Sequence, residues 1–366
     1  MQRQIIYDDR TEKSCVSALT HRPAFFNPFR AFTIRLKASP PPSLPITTNA
    51  MTMNEVKLDF VNCPEAGPEA AGSHRMAYWQ WGDRASDHVV VCVHGLSRQG
   101  HDFDVLAQAL CDAARQQQRT IRVVCPDVAG RGESDWLKDP MGYQVPAYAD
   151  DMLTLLGQLH AQSPIKTLDW VGTSMGGLIG MVVCAKLAAR SSEAGPPGVR
   201  RLVLNDVGPA IEWQAIQRIG AYLGKAGQFE TVEAAADAML AISSGFGPHT
   251  PAQWLALSRP MVRPVNGDEG GPLRLHYDPA IAGPFKLATE ESTRQGEAVL
   301  WQIYDHISAR TLLLRGAGSD LLSPETARAM TERGPHARLV EFAGVGHAPT
   351  LVVPDQVGTV TGFLLE

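Results

Sequence analysis

The sequence predicts an α/β fold: an eight-stranded, mostly parallel sheet with helices on both faces and an inserted helical cap. Three observations predict it. Short β-branched runs alternate with longer segments of helical spacing from about Val56 onward. The alternation breaks once, between about Pro209 and Ser308, where tryptophans, alanine-rich pieces and Gly/Pro-rich loops take over. A serine bracketed by glycines, Gly172-Thr173-Ser174-Met175-Gly176, closes one apolar run and opens a helical one.

The strands are expected at Val56 to Val61, Met76 to Trp81, Val89 to Val93, Ile121 to Cys125, Thr167 to Val171, Arg201 to Asn205, Thr311 to Leu314 and Arg338 to Phe342. Apolar residues at helical spacing predict helices over Asp104 to Ala114, Tyr148 to His160, Met175 to Ala189, Pro324 to Arg333 and Pro354 to Leu365. Ser323-Pro324 supplies an N-cap followed by a proline in the first turn. Within the interruption, Thr231 to Ile242 reads as a helix, while Gly245 to Pro251 and Pro264 to Pro272 read as loops. The expected organisation is an extension over 1–52, a first core part over 53–208, a cap over 209–308 and a second core part over 309–366.

Composition bounds the function. The 366 residues are 44% hydrophobic and 19% charged, enough apolar surface for one large core. A formal charge of −5 and an isoelectric point near 6.1, with no basic run, argue against nucleic acid as a partner and for a small molecule. Six cysteines at 15, 63, 92, 111, 125 and 184 form no Cys-x-x-Cys pair, so neither a zinc ribbon nor a redox dithiol is indicated. Cys92 and Cys125 lie in apolar runs, where a free thiol is a small buried hydrophobe, and a reducing cytoplasm is the expected location. No apolar stretch approaches the roughly 18 residues that span a bilayer. The first 50 or so residues, with Phe25-Phe26 and the rigid Ser39 to Pro45 stretch, read as disordered or as an over-extended start before Met51 and Met53; a transit peptide is opposed by Asp8, Asp9 and Glu12.

The chemistry is carried by three residues that each follow an expected strand, Ser174, Asp320 and His347. A serine hydroxyl is a poor nucleophile until an imidazole takes its proton, and the imidazole needs a carboxylate to hold its tautomer. A sharp strand-to-helix turn crowds the residues around the nucleophile, and glycines at 172 and 176 relieve that crowding. An oxyanion requires two backbone donors: the Met175 amide from the turn, and the Leu96 amide from His94-Gly95-Leu96-Ser97-Arg98, where Gly95 is expected to permit a tight turn. His94 itself reads as a structural hydrogen-bond partner. For the acid, Asp320 is favoured over its rival Asp206, which ends the Leu202 to Asn205 strand, on chain order and on its place in the flexible loop after Thr311 to Leu314.

Taken together, His94-Gly95, Asp127 to Ser134, the 172 to 177 turn, Arg315 to Asp320 and Gly346-His347 resemble the α/β-hydrolase superfamily over about Val56 to Glu366. The resemblance implies the α/β-hydrolase fold with a lid, a Ser174-Asp320-His347 triad and neither metal nor organic cofactor. It makes Asp127 to Ser134 a structural loop, turned at Gly130 and Gly132 with Asp127 bonding locally. Haloalkane dehalogenases and epoxide hydrolases of this superfamily place aspartate where Ser174 stands. That leaves a small carboxylic ester, attacked through an acyl-enzyme and released by water, as the expected substrate. The alternatives are a carbon–carbon bond hydrolase of vinylogous diketones, a thioesterase, a lactonase, a hydroxyalkanoate-oligomer esterase, an acyltransferase or a non-enzymatic receptor. Leu96-Ser97-Arg98-Gln99 stand where the carbon–carbon hydrolases carry further glycines. Trp213, Tyr222, Met239, Phe246 and Trp254 are expected to form the lid core.

Overall fold

In the computed structural model, which describes residues 56–65, 72–190, 195–225, 227–267 and 270–366, the chain opens with a hairpin. Strands β1 (Lys57–Pro64) and β2 (Ser73–Gly82) pair antiparallel, Lys57 opposite Gln80. Then β3 (His88–Val93), α1 (Asp104–Gln116), β4 (Arg122–Pro126), α2 (Val145–Gln162), β5 (Thr167–Thr173), α3 (Met175–Ala188) and β6 (Val199–Asn205) follow in alternation. The excursion holds α4 (Trp213–Tyr222), β7 (Gln228–Phe229), α5 (Val232–Ile242), α6 (Pro251–Ser258), β8 (Val262–Pro264), β9 (Leu273–Leu275), α7 (Ala282–Leu287) and α8 (Glu290–Asp305). The chain then returns to the core as β10 (Arg310–Gly316), α9 (Pro324–Glu332), β11 (Arg338–Phe342) and α10 (Pro354–Leu365). The reading of residues 1–52 as an extension lies outside the described residues.

The eight strands run in the order β1-β2-β4-β3-β5-β6-β10-β11, antiparallel only where β2 meets β1 and β4. Period-two alternation explains why both faces are covered. In β3, Val89, Val91 and Val93 turn to one side and join Met152, Leu155, Ile179 and Trp170, whereas Val90 and Cys92 turn to the other and join Leu106, Leu110 and Phe363. Helices α2 and α3 therefore cover one face and α1 and α10 the opposite one. The Ser323 side chain accepts from the Thr326 amide and caps α9 ahead of Pro324.

The excursion is not purely helical. Strands β7, β9 and β8 form a small antiparallel sheet of two- and three-residue strands, too short to leave a period in the sequence. Its own core joins Ala235, Ala236, Met239, Trp254, Leu257 and Met261, so Met239 and Trp254 are lid core as expected. Tyr222, Met239 and Phe246 also line a cavity that reaches Ser174.

Candidate active site

The nucleophile candidate is built from the strand beneath it. Strand β5 ends at Thr173 and α3 begins at Met175, which leaves Ser174 alone to reverse the chain, at φ 52° and ψ −118°. A non-glycine residue in that region is strained by roughly 1–3 kcal/mol, and such strain persists only where the surroundings over-determine it. Here they do. A Cβ on Gly172 would come within 2.3 Å of the Gly176 carbonyl oxygen, and one on Gly176 within 2.0 Å of the Val93 carbonyl oxygen, so both positions must be glycine. Below the turn, the buried Trp170 indole donates to the Gly176 carbonyl at 3.1 Å.

His347 follows β11 and places its Nε2 3.0 Å from Ser174 Oγ. Its Nδ1 lies 2.7 Å from Oδ2 of Asp206, a carboxylate with no exposed side-chain surface. The same carboxylate accepts from the Gly316 amide at 2.8 Å and from the Ser319 hydroxyl at 2.6 Å. Three donors converge on one buried acid and satisfy its oxygens away from water.

The expectation that Asp320 contacts His347 is therefore corrected. Asp320 points outward, half exposed, and holds Arg218 through Nε at 2.7 Å and a second guanidinium nitrogen at 3.0 Å. Two physical features decide it. Strand β6 neighbours β5 in the sheet, so its end stands beside Ser174, whereas β10 is one strand further away. The turn after β10 also sends the Ser319 hydroxyl inward and the next residue out. Chain order could not separate the two, because Asp206 as well as Asp320 lies between Ser174 and His347.

The loop after β3 is pinned from two sides. The Val128 amide donates to His94 Nε2 at 2.9 Å, so Nδ1 carries the proton and donates to the Gly95 carbonyl at 2.7 Å. Burial holds this imidazole neutral, with its pKa pushed down to about 3. Since the folded-state pKa lies below the unfolded one, the unfolded chain binds the extra proton, and stability is lost as pH falls from about 6.5 toward 3. The stability advantage of the native sequence over His94→Gln is expected to shrink by about 2 kcal/mol between pH 6.5 and pH 5, read by urea unfolding. An advantage independent of pH would refute a buried neutral ring.

Gly95 is required neither by backbone conformation, since it does not take positive φ, nor by close packing, since an added Cβ would meet Ser174 Cβ at 3.7 Å, an ordinary contact. Among the described residues no hydrogen bond uses the Leu96 amide, and the Met175 amide, first in α3, has no intrahelical acceptor. Arg131 ties these two residues together: fully buried, it donates from Nε to the Leu96 carbonyl at 2.8 Å and lies 3.8 Å from Met175 Sδ. Reading Asp127 to Ser134 as a structural loop gave Arg131 no part near Ser174; a lone arginine between two glycines carries no signal of where its guanidinium goes. Gly130 and Gly132 do take positive φ, 84° and 52°, and Asp127 bonds within the loop to the Glu133 amide, but its other partners, the Gly100 amide and the Trp79 indole, come from distant segments.

Residues 88–352 match the model of the alpha/beta hydrolase fold family. The chain belongs to the α/β-hydrolase family. It is 47% identical over 309 residues, 84% of this chain and 97% of the other, to a 3-hydroxybutyrate-oligomer hydrolase of Cupriavidus necator. It is 26% identical over 288 residues, 77% of this chain and 90% of the other, to a 2-(acetamidomethylene)succinate hydrolase of Mesorhizobium japonicum. A solved alpha/beta hydrolase of Novosphingobium aromaticivorans superimposes with a TM-score of 0.67 at 32% identity, covering 86% of this chain and 99% of that one. The chain is an α/β-hydrolase in function as in fold, an enzyme of the hydrolase class. No helix among the described residues is long and apolar enough to cross a membrane.

Proposed function

We propose that this α/β-hydrolase cleaves the ester bonds of short 3-hydroxybutyrate oligomers through an acyl-enzyme on Ser174. The observation that carries the reading is the chain of contacts from Ser174 Oγ to His347 to the buried Asp206; the substrate class rests on the similarity to the oligomer hydrolase. His347 Nε2 takes the hydroxyl proton as Oγ adds to the ester carbonyl. The oxyanion that forms accepts from the free amides of Leu96 and Met175, both held in place through Arg131. His347 then gives its proton to the departing alkoxide, and water repeats the cycle on the acyl-enzyme. Asp206 keeps Nδ1 protonated so that Nε2 remains the base, while Gly316 and Ser319 donate to Asp206 and fix its orientation.

No step calls on a metal or organic cofactor. A cytoplasmic location fits five free, buried cysteines among the described residues. Incubation with the 3-hydroxybutyrate trimer is expected to release free 3-hydroxybutyrate, and rapid quenching to trap a covalent acyl adduct on the peptide that contains Ser174. Absence of both products, with an intact fold by circular dichroism, would overturn the reading.

A further inference from the structure

Two cavities meet at Ser174, and both are lined by Ser174, Leu96 and Ile219. The first, about 260 Å³, also reaches His347, Arg98, Arg218 and Lys225. The second, about 310 Å³, runs past Met175, Leu178, Val207 and Phe285, and no lysine, arginine, aspartate or glutamate lines it. The two sides of a cleaved ester can be assigned to them. His347 must hand its proton to the departing oxygen, and His347 lines only the first cavity, so the leaving alcohol lies there. The acyl carbonyl oxygen must face the Met175 amide, and Met175 lines only the second cavity, so the acyl chain lies in the apolar one.

The leaving-group cavity is positive. Arg98 is clamped by Asp102 and Arg218 by Asp320, which cancels both guanidinium charges. Among the described residues no carboxylate stands within ion-pair distance of Lys225. Lys225, an exposed residue, therefore contributes the uncompensated positive charge among the residues that line this cavity.

We propose that the first cavity is a site for leaving alcohols that carry a carboxylate, with Lys225 as its ion-pair partner. The inference rests on the ester-hydrolase reading above and adds which cavity takes each side of the ester. The bond between the acyl carbon and the alcohol oxygen breaks, the Ser174 proton passes through His347 to that oxygen, and the fragment released first bears the carboxyl terminus. The acyl-enzyme keeps the remainder of the oligomer in the apolar cavity.

The test compares the butyryl ester of 3-hydroxybutyrate, whose leaving group is anionic, with the methyl ester of the same compound, whose leaving group is neutral. The expected KM is about fivefold lower for the free acid at low ionic strength, an advantage typical of one partly exposed ion pair. It should fade in about 1 M salt, where charges are screened within about 3 Å. Lys225→Met is expected to bring the two KM values together, and Lys225→Arg to keep them apart. Equal KM values in the native enzyme, a preference that survives Lys225→Met, or turnover of p-nitrophenyl butyrate with neither of the paired esters, would each overturn the proposal while leaving the esterase reading intact. Failure on every ester would instead overturn that reading.

Discussion

Asp206→Asn is expected to lower kcat by about 10⁴-fold, whereas Asp320→Asn should change it by less than about threefold, as loss of an exposed ion pair does. The asymmetry follows from what the amide does to His347. Asp206 Oδ2 accepts from Nδ1 at 2.7 Å and from the Ser319 hydroxyl at 2.6 Å, while Oδ1 accepts from the Gly316 amide at 2.8 Å. Because the backbone amide can only donate, asparagine would keep its oxygen toward Gly316 and turn its NH₂ toward the imidazole. Nδ1 would then become the acceptor, the ring proton would move to Nε2, and nothing 3.0 Å from Ser174 Oγ would be left to take the hydroxyl proton. Steady-state turnover of p-nitrophenyl butyrate by the two variants, beside their melting temperatures, checks this. Near-native turnover by Asp206→Asn with a large loss in Asp320→Asn would hand the role back to Asp320.

Where the chain carries a strong period, it is legible. The apolar runs around Val89, Val203 and Leu312 form interior strands of the sheet, each within a residue or two of the expected bounds, because a strand buried on both faces admits little else. The turn at Ser174 was readable for a different reason: glycines 172 and 176 are demanded by backbone atoms a few residues away in the chain or on the neighbouring strand. The acid was not readable to the same degree. Asp206 and Asp320 each follow an apolar strand, and what separates them is that β6 is adjacent to β5 while β10 is not, a fact of sheet order and not of local sequence. One signal was present without being decisive. Asp206 follows its strand directly and takes φ 56°, whereas Asp320 comes four residues after the end of β10, leaving room for the chain to turn it away. The cap was legible as an interruption but not in its contents. Pairs such as Gln228 with Arg274 and Val262 with Leu275 depend on residues that only the fold brings together. Arg131 belongs with these, since its partners Leu96, Tyr148 and Met175 come from three separate segments.

Ser174→Ala is expected to abolish nearly all turnover, lowering kcat by about 10⁵- to 10⁶-fold, while leaving the fold in place. Alanine would inherit the same φ of 52° and so the same backbone strain, and the only contact removed is the hydroxyl to His347. One net hydrogen bond corresponds to about 1 kcal/mol of stability, against a loss of roughly 7–8 kcal/mol in transition-state stabilisation. The residues act as a unit, so Ser174→Ala combined with His347→Ala should be no slower than Ser174→Ala alone within about threefold. Multiplicative losses in the double variant would mean that His347 serves a step that does not pass through Ser174. Because neither cavity loses its walls, the alanine variant should still bind the intact 3-hydroxybutyrate trimer, by calorimetry, with an affinity close to the native KM. A bound trimer that cannot be cut also locates its own carboxylate: on the Lys225 side, the alcohol half of the ester occupies the first cavity; against Phe285 and Leu178, the two halves of the ester are exchanged between the cavities.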